Sequence, residues 1–410
     1  MGRTVTIIRH AETNANRERR WQGSTDSGIS TLGFEQIDRL RERFAGRLDA
    51  DVVVSSDLPR TMATAAVLGE VTPDPRFREF SIGSWEGLTS AEVEQRYPDE
   101  WLSFVNGEDL APGGGEQLSM FDRRIGDAFD DLVDKLADGQ HAVLVTHGGV
   151  IWSIMRQIAG LDGRPSMTPS HNTAVSQISI GSDGERRIHT FNDATHLDHT
   201  TQQFGPVGLR ATFIRHGQSE GNVAGTWDST TDSPLTDLGR RQAAEAADHA
   251  PSVTAIFSSP RVRATQTATI IGQRIGVPSP TSDEDLAEMS FGAWEGLTTA
   301  QILEQHRDDI AEYESGSGDH TPRGGHGESL VGAGTRMRGA AERLAKAANA
   351  DPYIAVSHGA AIRALAINVL GVANAGRGKI AIPRNTAQSS FLLTEHGAVM
   401  ASYNVAPHLD

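Results

Sequence analysis

Arg9-His10-Ala11-Glu12-Thr13 follows the apolar run Val5-Thr6-Ile7-Ile8, and Arg215-His216-Gly217-Gln218-Ser219 follows Ala211-Thr212-Phe213-Ile214. Both runs are short and β-branched. Each predicts a strand that ends abruptly in an arginine, a histidine and a polar loop. In α/β sheets, ligands bind beyond the carboxyl ends of strands. An arginine held there offers a planar fork of donors to an anion, and an imidazole can serve as nucleophile, base or metal ligand. One such pair has an ordinary structural explanation. Two pairs in matching context call for a shared chemical one.

The match extends along the whole chain. Val52-Val53-Val54-Ser55-Ser56 recurs as Ala255-Ile256-Phe257-Ser258-Ser259, and Trp85-Glu86-Gly87-Leu88-Thr89 as Trp294-Glu295-Gly296-Leu297-Thr298. Val143-Leu144-Val145-Thr146-His147-Gly148 recurs as Ile354-Ala355-Val356-Ser357-His358-Gly359, and Asn172-Thr173-Ala174 as Asn385-Thr386-Ala387. Even Asn192 through His196-Leu197 returns as Asn404 through His408-Leu409. A repeat this long is a duplicated domain, not a solenoid unit. The expected domains are residues 1–200 and 208–410, joined by a polar, turn-rich linker over 198–208. Within a copy, apolar runs alternate with helical patterns. Leu32 to Leu48 reads as a helix before the strand Val52-Val53-Val54, and Phe121 to Leu136 as a helix before the strand Ala142 to Val145. The expected fold is therefore two tandem three-layer α/β/α domains, each a mostly parallel sheet with helices on both faces.

Composition narrows the function. Among 410 residues, 53 Asp and Glu outnumber 37 Lys and Arg, which argues against nucleic acid or an anionic membrane as partner. With no cysteine there is no disulfide, thiol nucleophile or thiolate metal site. No apolar stretch approaches the length of a membrane span. The first strand begins so near Met1 that no signal peptide is expected, so the expected location is cytoplasmic.

Four positions per copy are candidates for holding one anion. They are Arg9 and His10, Arg60 after Ser55-Ser56, and His147 with Gly148-Gly149 opening a helix behind it. The second copy has Arg215, His216, Arg263 and His358, with Gly359-Ala360 behind. The backbone N–H groups and dipole of that helix are expected to face the same anion. Two arginines, two imidazoles and a helix terminus suit a dianionic phosphoryl group. His196-Leu197-Asp198-His199 suggests a metal site, but its counterpart His408-Leu409-Asp410 reads as a structural terminus. No metal or other cofactor is expected.

These motifs, with Asn16 and Asn222 downstream of the Arg-His pairs, resemble the histidine phosphatase superfamily, also called phosphoglycerate mutase-like, over nearly the whole chain and twice. The resemblance implies that His10 and His216 are nucleophiles that accept a phosphoryl group. It implies that Arg9, Arg60 and His147, and likewise Arg215, Arg263 and His358, hold its oxygens, and that Asn16 and Asn222 add a contact. The proton donor to the leaving oxygen is implied to be Glu79, and Glu288 in the second copy. Glu86 and Glu295 compete for that role, although Trp85 and Gly87 make their phrase look like a packed turn.

The resemblance leaves three activities: a phosphatase of small phosphorylated metabolites, a phosphoglycerate mutase-type phosphotransferase, or a phospholigand-binding module. The domains are compact and lack the extra closing segments of the mutases, and both catalytic sets are complete. The expectation is therefore a phosphatase with two active sites. The surroundings differ between copies. Trp21-Gln22-Gly23 faces Trp227-Asp228-Ser229, and His171 faces Arg384. His171 and Arg384 are expected to contact the substrate's organic end, with Arg384 favouring a second anionic group in the second site.

Overall fold

The structure is a computed structural model that describes residues 2–161, 166–197, 207–277, 279–315, 318–375 and 378–409. Most of the expected linker lies outside the described residues, as do Asp198, His199 and Asp410. The chain divides into two compact units. The first comprises residues 1–164, 169–188 and 192–204, and the second 165–168, 189–191 and 205–410.

In the first unit the strands are β1 (Arg3–Arg9), β2 (Val52–Ser55), β3 (Val71–Pro73), β4 (His141–Thr146), β5 (Val175–Ile180) and β6 (Arg186–Asp193). They lie in the order β3-β2-β4-β1-β5-β6. β1, β2, β3 and β4 are parallel, and β5 runs antiparallel to β1. In the second unit β7 (Leu209–Arg215), β8 (Ala255–Ser258), β9 (Thr281–Ser282), β10 (Tyr353–Ser357), β11 (Gln388–Thr394) and β12 (Gly397–Val405) repeat the pattern as β9-β8-β10-β7-β11-β12. The last two of these strands are antiparallel to their neighbours.

The central strands are apolar on both faces because helices cover both. On one face Ile8, Val53, Val143 and Val145 pack with Leu40 of the helix Thr31–Phe44 and Ala65 of the helix Pro59–Ala65. In the second unit Ile214, Ile256, Ile354 and Val356 pack with Ala247, Ala264, Ala268 and Ile271. On the other face lie the helix pairs Leu118–Asp134 with Gly148–Ala159, and Leu330–Ala347 with Gly359–Leu370. The expected helices are present with shifted ends. The first stops at Phe44 rather than Leu48, just before Gly46 takes a left-handed φ of 68°.

The position of β4 between β1 and β2 creates the site. Arg9 pairs in register with Thr146, so His10 and His147 leave adjacent strands side by side. The His10 amide donates to the Thr146 carbonyl at 2.9 Å. In the second unit Arg215 pairs with Ser357, and the His216 amide donates to the Ser357 carbonyl at 3.0 Å. Residues far apart in the sequence therefore become site neighbours through strand register.

The Trp-Glu-Gly-Leu-Thr phrase follows a tight turn, Gly83–Trp85 or Gly292–Trp294, with the tryptophan fully buried. Gly292 has φ +56°, and a Cβ there would lie 2.3 Å from the Arg323 carbonyl oxygen. Gly292→Ala should therefore destabilise the second unit by about 1–3 kcal/mol. Urea denaturation would show this as a lower midpoint with an unchanged slope, whereas an unchanged midpoint would mean that this turn and the Arg323–Gly325 turn it packs against can part without cost.

Candidate active site

His10 is buried, and its Nδ1 lies 2.7 Å from the Ala11 carbonyl oxygen. A carbonyl only accepts, so Nδ1 carries the proton and Nε2 keeps the lone pair. His216 repeats this with the Gly217 carbonyl at 2.7 Å. Burial, reinforced by the neighbouring arginines, holds both imidazoles well below their ordinary pKa. Both are therefore neutral at physiological pH, with one fixed tautomer.

The second imidazole stands against the first. His10 and His147 have ring centroids 5.2 Å apart, and His216 and His358 5.1 Å. Nε2 of His147 meets Ser56 Oγ at 2.9 Å, and Nε2 of His358 meets Ser259 Oγ at 2.8 Å. In both histidines Nδ1 is buried without a hydrogen-bond partner among the described residues. Such an atom costs free energy unless a ligand satisfies it.

The arginines are held by carbonyls rather than carboxylates. Arg60 donates to the Thr25 and Gly23 carbonyls at 2.9 and 2.7 Å, and Arg263 to those of Thr231 and Asp228 at 2.9 and 3.0 Å. Arg9 donates to the Ser170 carbonyl and Arg215 to that of Pro383 at 2.7 Å. Desolvation lowers the pKa of Arg9 to about 10, and lowers those of Arg60, Arg215 and Arg263. Nε of Arg9, Arg60 and Arg215 is buried without a partner among the described residues. Asn16 Oδ1 accepts from the Thr13 amide and from Asn172 Nδ2, which turns its NH2 group to the other side. Asn222 is fixed in the same way by Ser219 and Asn385.

The glutamates separate cleanly. Glu79 accepts from the amides of Phe80 and Gly149 at 2.9 and 3.1 Å, and Glu288 from those of Met289, Ala360 and Ala361. The helix start thus holds the glutamate through the amides of Gly149, or of Ala360 and Ala361, while the expected facing of an anion concerns the first helical amides, of Gly148 and Gly359. Burial raises the pKa of Glu288 against the opposing effect of those N–H groups. Glu295 is partly buried as well, but hydrogen bonds from Ser229 Oγ and the amides of Thr231, Ser229 and Thr230 outweigh burial and pull it down to about 2. Glu86 similarly ties down the amides of Ser24 and Thr25. These two carboxylates organise the loops that hold Arg60 and Arg263.

Other expected residues fall differently. The backbone amides of His171 and Arg384 donate to Asn192 Oδ1 and Asn404 Oδ1. Arg384 Nη2 donates to the Ala406 carbonyl at 3.3 Å, and Arg384 does not line the cavity beside His216. The expectation that it anchors a second anion is corrected accordingly. His196 Nε2 lies 3.1 Å from Thr173 Oγ1, and His408 Nε2 lies 2.8 Å from Thr386 Oγ1, so both histidines serve structure. Roles for Asn172 and Asn385 were missed, although their recurrence marked them. Each donates to the backbone carbonyl of His10 or His216 at 2.9 Å, and also to Asn16 or Asn222.

In the second unit the site opens into a cavity of about 240 Å³ lined by Arg215, His216, Asn222, Arg263 and Glu288, with Trp227, Asp228, Phe291 and Tyr313 further out. This arrangement defines a phosphoryl-handling α/β protein with a neutral, oriented imidazole in a cationic cradle. The model of the histidine phosphatase superfamily (branch 1) matches residues 5–194 and again 211–406, and the chain belongs to that family. The chain is 35% identical over 191 residues to a glucosyl-3-phosphoglycerate phosphatase of Mycolicibacterium vanbaalenii, covering 43% of this chain and 84% of that one. It is 29% identical over 201 residues to a metal-independent phosphoserine phosphatase of Arabidopsis thaliana, covering 47% and 82%. A solved mycobacterial glucosyl-3-phosphoglycerate phosphatase with VO3 aligns at 30% identity and a TM-score of 0.43, covering 46% of this chain and 98% of that one. The chain is a phosphomonoester hydrolase.

The buried histidines make stability depend on pH. His10, His147, His216 and His358 all have folded-state pKa values far below the unfolded value of about 6.5. Below that value the unfolded chain takes up protons that the folded one refuses. Stability present above about pH 6.5 is thus lost as pH falls, by up to about 1.4 kcal/mol per pH unit for each histidine. The thermal midpoint of the phosphate-free protein should drop steeply between pH 7.5 and 5, and less steeply in His147→Gln. A flat profile would show that these imidazoles are not held neutral.

Proposed function

We propose that each unit hydrolyses phosphomonoesters of small metabolites through a phosphohistidine, formed on Nε2 of His10 in one unit and of His216 in the other, without a metal ion. The observation that carries this reading is the fixed tautomer. Nδ1–H is committed to a backbone carbonyl, and Nε2 is left as a desolvated lone pair beside two guanidinium groups. Arg9, Arg60, Asn16 and His147, or Arg215, Arg263, Asn222 and His358, surround the phosphoryl oxygens and stabilise the charge that spreads over them during in-line transfer. The orphaned Nδ1 of His147 and His358 gains a partner in that complex.

Nε2 bonds to phosphorus as the ester P–O bond breaks, and the leaving oxygen takes the proton of Glu79 or Glu288. Water then attacks the phosphohistidine and gives a proton back to the same glutamate, releasing inorganic phosphate and restoring the imidazole. This cycle needs the glutamate protonated at the start, and the raised pKa of Glu288 supports that role. The cradle supplies the positive charge that a divalent metal supplies elsewhere. The substrates are charged metabolites that do not cross a bilayer unaided, so we place the enzyme with them in the cytoplasm. Its excess of acidic residues weighs against nucleic acid as a partner.

His10→Ala and His216→Ala should each retain partial activity on an aryl phosphate, and the double variant should lose at least about a thousandfold. Undiminished turnover by the double variant would sink the phosphohistidine route. Activity should also survive prolonged treatment with a chelator. Loss that added magnesium or zinc restores would contradict the metal-free reading.

A further inference from the structure

The two cradles repeat residue for residue, but the walls beyond them do not. Asp228 and Gln22 occupy the same place, each directly after the tryptophan of its loop. Gln22 is neutral and its amide is spent. Its Oε1 accepts from Thr13 Oγ1 at 2.9 Å, and its Nε2 donates to the Thr25 carbonyl at 2.9 Å and to Ser27 Oγ at 3.3 Å. Asp228 keeps one marginal side-chain contact, with Ser233 Oγ at 3.5 Å. Arg263 is near enough to feel its charge, but that guanidinium donates to the Asp228 backbone carbonyl and makes no ion pair with the carboxylate. The active cavity of the second unit thus contains a half-buried carboxylate that has no cationic partner among the described residues.

An unpaired anion in a cavity built for a phosphate dianion weakens binding of any substrate that offers nothing to meet it. The neighbouring side chains suggest what meets it. Trp227, Phe291 and Tyr313 line the same cavity, with Trp227 edge-on to Phe291 at 5.1 Å and to Tyr313 at 6.2 Å. Phe291 stands where the first unit has Ile82, and Tyr313 where it has Phe104. Tyr313 already carries the Arg323 guanidinium 3.9 Å from its ring centroid, so the aromatic contribution to a bound cation comes from Trp227 and Phe291. Aromatic rings beside a carboxylate attract a cation twice over, through the ring quadrupoles and through charge.

We infer that the second site is specific for phosphomonoesters whose organic end carries an ammonium group, with Asp228, Trp227 and Phe291 as the cation subsite. This rests on the phosphatase reading of that site. The cradle takes the phosphoryl group, and Asp228 takes the positive charge at the other end of a short substrate. The first site keeps Trp21 and Phe104 at two of the aromatic positions, 5.6 Å apart, but has Ile82 for Phe291 and the neutral Gln22 for Asp228, so it lacks the charge that would prefer a cation.

The test compares phosphoethanolamine with propyl phosphate, which differ by an ammonium in place of a methyl group, on His10→Ala protein, where only the second site turns over. The expected result is a preference for phosphoethanolamine of about tenfold or more in kcat/KM, expressed mainly in KM. The preference should fall to near unity in His10→Ala/Asp228→Asn and be absent in His216→Ala. Equal handling of the two esters by His10→Ala protein, or a preference that survives Asp228→Asn, would overturn the inference. An aryl phosphate serves as control. Its hydrolysis without an ammonium preference removes only the cation subsite, whereas no hydrolysis of any of the three esters removes the phosphatase reading of this unit and the inference with it.

Discussion

Everything around these sites follows from burying two guanidinium groups and two imidazoles together with no carboxylate among the described residues bridged to any of them. A salt bridge would be the ordinary solution, but it would fill the cradle that the substrate needs. The chain uses backbone carbonyls instead. Ser170, Gly23 and Thr25 serve Arg9 and Arg60, while Pro383, Asp228 and Thr231 serve Arg215 and Arg263. Carbonyls carry only partial charge, so the positive field survives for an incoming dianion. The imidazoles respond by staying neutral, which a nucleophile requires.

Carbonyl acceptors are useful only if their loops are rigid, and much of the remaining polar structure supplies that rigidity. Glu86 and Glu295 bind successive amides of the loops that face Arg60 and Arg263. Thr173 and Thr386 adopt φ of 57° and 60°, a region that β-branched residues avoid. Their amides reach back to the carbonyls of Arg9 and Arg215 at 3.0 Å, locking the strand ends. His196 and His408, which resembled ligands in the sequence, hold those threonines by their hydroxyl groups. Strain of about 1–3 kcal/mol at each threonine is offset by the clamp it creates.

The fold and the cradle were legible because their signals are local and repeated. Apolar strands, helical spacing and the paired Arg-His phrases survive in the sequence as short strings, and register then brings Arg9 to Thr146 and Arg215 to Ser357. Contacts that depend on side-chain direction were not legible. Arg384 is adjacent in sequence to Asn385, which does reach the site, yet its own guanidinium turns to the Ala406 carbonyl. At the helix start behind His147, Gly149 gives its amide to Glu79, a division of the helix N–H groups that spacing does not show. Periodicity and spacing place a residue on an element; they do not say which of two acceptors within reach will win.

The duplication also separates what the chemistry fixes from what it leaves open. Within the cradle each residue has two or more obligations. Asn172 holds both the His10 carbonyl and Asn16, and Arg60 holds two carbonyls while facing the site. No single change there is neutral, so both copies keep the set intact. One bond further out the obligations end. Gln22 spans Thr13, Thr25 and Ser27, but the corresponding loop in the second unit is already pinned by the six donors, an amide and a hydroxyl each, that Glu295 collects from Ser229, Thr230 and Thr231. With the loop so pinned, a carboxylate at position 228 does not loosen the grip on Arg263, whose Nη2 is held by the Asp228 backbone carbonyl. Divergence between the copies thus occurs where backbone support is duplicated, and there it can alter which substrate is held without touching how phosphorus is attacked.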